Sequence, residues 1–407
     1  RRLLIGAGVL VLAMIGAGAW SAVQDRSPGT VFFNGYGSMP LPRAVTSQPH
    51  RQWTRDVSDT NGTGVVAEDG VTYLSTTDDE GTTTTIVAVE DDGEERWSTE
   101  LDEPSFLAAT SPDHDVVLVV GWADDDEARA FQALSADDGT LLWESDAGEP
   151  VRVTDDGLLL YSESSVLLLD LDDGTTRWDV PQGDGMATNS DLLLVGDDGS
   201  LTAVDLGSGE QRWKVDEDVP CATARRHGCD IAAADELILV VGDNEAVAYD
   251  AGDGSRLWSE HVGDRESPGV LGPDLVYLYE SSDNRDDTSD WSIVTFDRDG
   301  KRDEKAALND GGGFAPFGIT TGGRSYLIDW SSNNVYDDRL EQVGHYDGDV
   351  TLASGGAYAF ERGELSYHRF DRGDPVWTLE VPPDAQSVTP GDRGIVLQWE
   401  DQIVLYR

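Results

Sequence analysis

Cys221 and Cys229 are the only cysteines of the chain, and they bracket a short loop that carries Arg225, Arg226 and His227. In an exported protein a lone pair eight residues apart is expected to close a disulfide. The loop would then be a stiff cationic finger for an acidic partner, or simply a stapled connection. The six histidines (His50, His114, His227, His261, His345 and His368) show no His-x-x-x-His or related spacing, so no zinc site is expected. Carboxylates crowd together at Asp297, Asp299 and Asp303 and again from Asp124 to Glu127. Neither run has the regular oxygen spacing of a calcium loop, and the first occupies an ordinary turn.

Other chemistry is missing too. No Gly-x-Ser-x-Gly elbow and no phosphate loop occurs in the sequence. With 79 Asp and Glu against 28 Lys and Arg, the net charge is −51. Such a surface repels nucleic acid and anionic head groups, whose binding needs Lys and Arg to displace counterions, so no nucleic-acid partner is expected. The acidity is read as keeping a large β-protein soluble.

The elements that would position any site announce themselves by repetition. Gly-x-x-x-Trp recurs six times, ending at Trp97, Trp143, Trp178, Trp213, Trp258 and Trp377. In the copy VLLLDLDDGTTRWDV, Val166 to Val180, a short Leu- and Val-rich run suits a strand buried on both faces. Asp172, Asp173 and Gly174 then supply hairpin-turn chemistry. The next strand brings in Trp178, whose side chain of roughly 150 to 250 Å² is more than one hairpin can hide. Each repeat must therefore lend its indole to a neighbour, and such units stack.

Taking the glycine–tryptophan pairs as phase marks divides the chain into units of four strands, at about 65–101, 106–147, 151–181, 186–216, 230–262, 269–308, 314–346 and 349–382. Gly300 is followed by Glu304 where a tryptophan would stand, and no mark occurs near Asp338. An orphan strand at Trp53 and two at the far end, 394–407, are complementary pieces that would close a ring and remove its open edges. The fold expected is an all-β, eight-bladed β-propeller of four-stranded antiparallel blades. A literal count of eight units plus one composite allows nine.

The Ala/Val-x-Asp-x-x-x-Gly-x-x-x-Trp pattern, seen in AVDLGSGEQRW (Ala203 to Trp213), LLDLDDGTTRW (Leu168 to Trp178) and AYDAGDGSRLW (Ala248 to Trp258), resembles the tryptophan-docking repeat of quinoprotein-dehydrogenase-like propellers, also called PQQ-like repeats. The resemblance covers about residues 51 to 407. It implies eight radial blades with each tryptophan between neighbouring blades. That family holds quinone-dependent alcohol dehydrogenases and also non-enzymatic scaffolds, such as the periplasmic lipoprotein of outer-membrane barrel assembly. The enzymes imply adjacent cysteines beside the cofactor and a calcium site of Glu, Asn and Asp. This chain has no Cys-Cys pair and no Cys-x-x-Cys-His, so no cofactor is expected and no catalytic residue is carried over.

Ahead of the repeats, Arg1 and Arg2 precede twenty uncharged residues, Leu3 to Ala22, long enough to cross a bilayer. The positive flank would stay in the cytoplasm and everything after Ala22 would lie outside. Residues 1–22 are therefore read as a transmembrane helix or uncleaved signal, 23–50 as a flexible Gly- and Pro-rich tether, and 51–407 as the propeller. Extra residues fall in Ser75–Thr85, Trp122–Ala130, Cys221–Asp230 and Ser281–Asp290, which this phasing puts on one face. Long loops on a rigid ring are where partners bind. The expected protein is a monomeric, single-pass scaffold of the cell membrane with its C-terminal domain outside. It would hold a protein or a cell-envelope component on that face. The alternative is a quinone-dependent dehydrogenase, and polymer binding through Trp122, Trp291 or Trp330 is a third possibility.

Overall fold

The computed structural model describes residues 29–33, 37–40 and 42–407, apart from 58–62, 69, 79–81, 112–114, 122–130, 163, 217, 222–228, 243, 263–265, 281–289, 310–316, 330–331, 373, 384, 392–393 and 400–401. Within one repeat the residue order dictates the strand order. In the fourth, Gly185–Thr188, Leu192–Asp197, Ser200–Asp205 and Gln211–Val215 pair antiparallel in sequence, and we letter such strands A to D. Strands B and C are apolar and pack between neighbouring sheets. Strand D is polar or charged at Gln211, Arg212 and Lys214, and Trp213 is the only position of QRWKV that is buried. An outermost strand that shows solvent a charged edge and one inward indole is protected against pairing with other chains.

Nine four-stranded units are present among the described residues. Blades 1 to 8 span Thr63–Leu101, Ser105–Ser145, Glu149–Pro181, Gly185–Val215, Asp230–His261, Glu266–Asn309, Phe317–His345 and Asp349–Glu380. The ninth is composite. Ala385–Gly391, Gly394–Trp399 and Gln402–Tyr406 supply its strands A to C, and the early strand Arg51–Asp56 supplies D. Of the two counts the sequence allows, nine is the one observed. The A strands of blades 1 and 2, 4 and 5, 5 and 6, 6 and 7, 8 and 9, and 9 and 1 come within 8 Å Cα–Cα of each other, as expected where sheets converge on an axis. Arg55 meets Glu95 at 2.7 Å across the closing seam, and Arg407 pairs with Asp91.

The first described residues depart from the tether expected at 23–50. Strands β1 (Gly29–Phe33) and β2 (Gly37–Pro40) form a hairpin, and β1 adds to the free inner edge of strand A of blade 7, Phe317–Thr321. The hairpin also comes within 8 Å Cα–Cα of strand A of blade 6 and strand A of blade 4. It therefore lies inside the ring, in the central channel. A nine-bladed ring has a wider channel than an eight-bladed one, and two extra strands enter it. From Pro42 to His50 the chain runs outward to β3 (Arg51–Asp56), the outer strand of blade 9. Along the way Ser354 N–H bonds Pro42 O at 2.7 Å, Val45 N–H bonds the Tyr358 hydroxyl at 2.7 Å, and His50 pairs with Arg407. No helix long and apolar enough to cross a membrane occurs among the described residues, and the 3–22 segment lies outside them.

Candidate functional site

The indoles are positioned by the blade that follows, not by their own repeat. Trp97, Trp143, Trp178 and Trp213 donate Nε1–H to the carbonyls of Ala136, Leu171, Leu206 and Ala251 at 2.7–2.9 Å, each in the C–D turn of the next blade. The glycine three residues beyond each acceptor forms the floor. A Cβ on Gly209, φ +71°, would sit 2.5 Å from Trp178, and one on Gly254 would sit 2.6 Å from Trp213. Gly-x-x-x-Trp is therefore a receptor followed by a donor, and the two halves serve different interfaces.

Turn length decides how complete each dock is. In blades 2 to 5 the glycine N–H bonds the carbonyl four residues back, which leaves the carbonyl three back free for the indole. In blades 1 and 6 the turn is one residue shorter. Gly93 and Gly300 bond Glu90 and Asp297, three residues back, and so occupy the carbonyl an indole would use. The indoles received there, Trp53 and Trp258, have buried Nε1 atoms with no hydrogen-bond partner among the described residues. Trp258 is stacked on Phe296 at 5.1 Å instead. Blade 6 has Glu304 in the tryptophan position, and blade 7 correspondingly has Leu340, φ +60°, at the glycine position, buried among Leu271, Tyr277 and Leu327. Trp377 has no C–D turn to enter, because blade 9 is built from both chain ends. Its Nε1 donates to Val45 O at 2.7 Å, so the segment before β3 stands in for a turn.

The B–C turns and the D-to-A connections share one face: Gly199 N–H in the B–C turn of blade 4 bonds Cys221 O at 3.2 Å. Cys221 and Cys229 form a disulfide with Cα atoms 4.7 Å apart. It is buried in the core between blades 4 and 5 rather than lying on the surface. Room for it comes from a cross-strand glycine pair, Gly185 and Gly196, where a Cβ on either would fall 2.7 Å from a cysteine sulfur. Arg225, Arg226 and His227, along with the Trp122 and Trp330 positions and the Asp124–Glu127 run, lie outside the described residues. The blade 1 loop on this face is tied by Asp78, whose carboxylate accepts from Thr82 and Thr83 at both backbone and hydroxyl. Those bonds, the Thr82 N–H foremost, hold its pKa down to about 2.

The opposite face, of A–B and C–D turns, is acidic and ordered by its own aspartates. Asp138, Asp173 and Asp253 accept from the residues two ahead, which lowers their pKa values, and Arg212 with Ser208 lowers Asp205 to about 2. Asp297, a candidate calcium ligand by sequence, spends an oxygen on the N–H groups of Asp299 and Lys301 at 3.0 and 2.9 Å, as a turn cap does. Among the described residues no three His, Cys, Asp or Glu side chains stand close enough to hold a metal ion. Ser366 Oγ lies 2.8 Å from His368 Nε2, but the serine is buried between blades and also bonds Ala359 O. The backbone of the β1–β2 hairpin runs through the channel, where the resemblance would put a quinone.

A ring of four-stranded blades sealed by indoles that cross from blade to blade defines a PQQ-like repeat β-propeller. The chain belongs to the family described as outer membrane protein assembly factor BamB, whose profile matches residues 43–166 and 162–404. Among solved structures it is similar to BamB from Moraxella catarrhalis, at 13% identity and TM-score 0.45, over 88% of this chain and 100% of that one. It is also similar to the dihydro-heme d1 dehydrogenase NirN in complex with DHE, at 14% and 0.46, over 84% and 77%. Kluyveromyces lactis Hsv2 matches at 8% and 0.41, over 79% and 100%. No curated protein matches the sequence.

Proposed function

We propose that the protein is a membrane-anchored, extracytoplasmic scaffold that holds a protein or cell-envelope partner on its B–C and D-to-A face, without catalysis. The observation that carries this is the hairpin in the channel. A propeller enzyme that uses a quinone needs its axis open to cofactor and substrate, and here β1 and β2 fill it with main chain. Membership of a family described as an assembly factor supports a protein partner. The disulfide-bounded loop from Cys221 to Cys229 is the cationic feature of an otherwise acidic ring, and it suits an acidic partner by charge.

Two experiments separate scaffold from enzyme. Crosslinking capture from the native envelope is expected to return one partner with the wild-type chain and to lose it with Arg225→Glu/Arg226→Glu. Capture that ignores the loop charge would reject the assigned face. Purified protein mixed with pyrroloquinoline quinone and calcium is expected to gain neither a bound chromophore nor dye-linked alcohol oxidation; either signal would establish the dehydrogenase instead.

A further inference from the structure

We propose that the A–B and C–D turns are the membrane-facing side of the ring, so that the disulfide face points away from the bilayer. This rests on the anchor proposed above. The geometry that assigns it is the register of β1. Gly29 stands opposite Thr321 and Phe32 opposite Gly318, so β1 runs antiparallel to strand A of blade 7. That strand begins at a D-to-A connection with Phe317 and ends at the A–B turn after Thr321. Gly29 is therefore level with the A–B turns, and the chain enters the ring from that side.

It leaves on the same side. Pro40 returns opposite Thr30, and Pro42 O accepts from Ser354 in the A–B turn of blade 8. Val45 then occupies the place of a C–D turn beneath Trp377. Between Ala22, the last residue of the apolar stretch, and Gly29 only six residues intervene, a reach of about 20 to 25 Å when fully extended. A strand of six residues spans about 20 Å, so the far face would stand about 45 Å from the bilayer when the near face stands at 25 Å. Had residues 23–50 all been tether, every orientation would have been open to the ring. With Gly29 paired inside the channel, one is.

The charge of the near face sets its stance. Asp92, Asp138, Asp173, Asp253, Asp299 and Asp338 all lie exposed in its C–D turns. Anionic head groups repel them over a Debye length of about 8 Å at physiological salt, so the ring faces the bilayer without lying on it.

The test uses the full chain in vesicles of phosphatidylethanolamine and phosphatidylglycerol that carry an acceptor-labelled lipid. Both native cysteines are in the disulfide, so a single introduced cysteine takes a donor dye cleanly. Glu364→Cys and Arg372→Cys stand at opposite ends of strand C of blade 8, Glu364–Arg369, both on exposed side chains. Transfer to a plane of acceptors falls as the inverse fourth power of height, so heights of about 25 and 45 Å imply about tenfold faster transfer from position 372. Equal or reversed transfer in vesicle-bound protein overturns the orientation alone. Failure of the chain to float with vesicles overturns the anchor, and the orientation with it.

Discussion

A glycine and an indole from adjacent blades behave as one unit, and their energetics should show it. Trp178→Ala empties a buried slot and is expected to cost about 3–5 kcal/mol. Gly209→Ala forces a Cβ to 2.5 Å from that indole at φ +71°, and strain plus overpacking should cost roughly 2–4 kcal/mol. Gly199→Ala has the same backbone handicap, φ +77°, with open space around the Cβ, and should cost about 1 kcal/mol. In urea titrations the Trp178→Ala/Gly209→Ala pair should lose at least about 1 kcal/mol less than the sum of its singles. Strict additivity would show that the two do not share an interface. The turn aspartates make a second test. Asp78 and Asp205 have folded pKa values of about 2, below the unfolded value near 3.9. A depressed carboxylate lends stability above its unfolded pKa and loses it as pH falls through the folded one. Melting temperature should therefore hold down to about pH 5 and fall between about pH 4 and 2, with Asp205→Asn shallower than wild type. An equal slope in both would discount Asp205.

At the level of the turn, one residue more or less decides whether an indole is bonded or only packed. Trp213→Phe would strand the carbonyl of Ala251 in the core and is expected to cost about 1–3 kcal/mol beyond the lost area. Trp258→Phe loses no hydrogen bond and keeps a ring against Phe296, so it should cost under about 1 kcal/mol. Equal losses in thermal melts would mean that turn length does not control docking. The difference was open to inspection in the sequence. Asp205 and Gly209 are four apart and Asp297 and Gly300 three apart, yet the consequence depends on which carbonyl the glycine N–H takes. The coupled loss of tryptophan at Glu304 and glycine at Leu340 is legible in the same way only once the glycine of one blade is known to serve the indole of the blade before.

The whole ring depends on its N-terminal segment at two radii, the channel and the outer edge. A chain that begins at Gly29 should melt as the full chain does. One that begins at Arg51 keeps the closing strand but removes Val45 from both Trp377 and Tyr358, and strips β1 from blade 7. Two buried polar groups without partners, at about 1–3 kcal/mol each, should lower the unfolding free energy by at least about 2 kcal/mol. Indistinguishable urea midpoints would show that the channel hairpin is not part of the folded unit.

By itself the sequence determined the repeating unit, its strand order, the tryptophan positions, the disulfide and the two chain ends that complete one blade, because each is written in local spacing: a period of about 35 to 46 residues, a turn glycine, a pair of cysteines. Only the tertiary structure decided which glycine receives which indole, that the units number nine, and that residues 29–33 and 37–40 enter the channel. A strand that pairs with a partner nearly three hundred positions away carries no periodicity of its own, and GTVFF beside prolines and glycines reads as linker until the inner edge of blade 7 provides its hydrogen bonds.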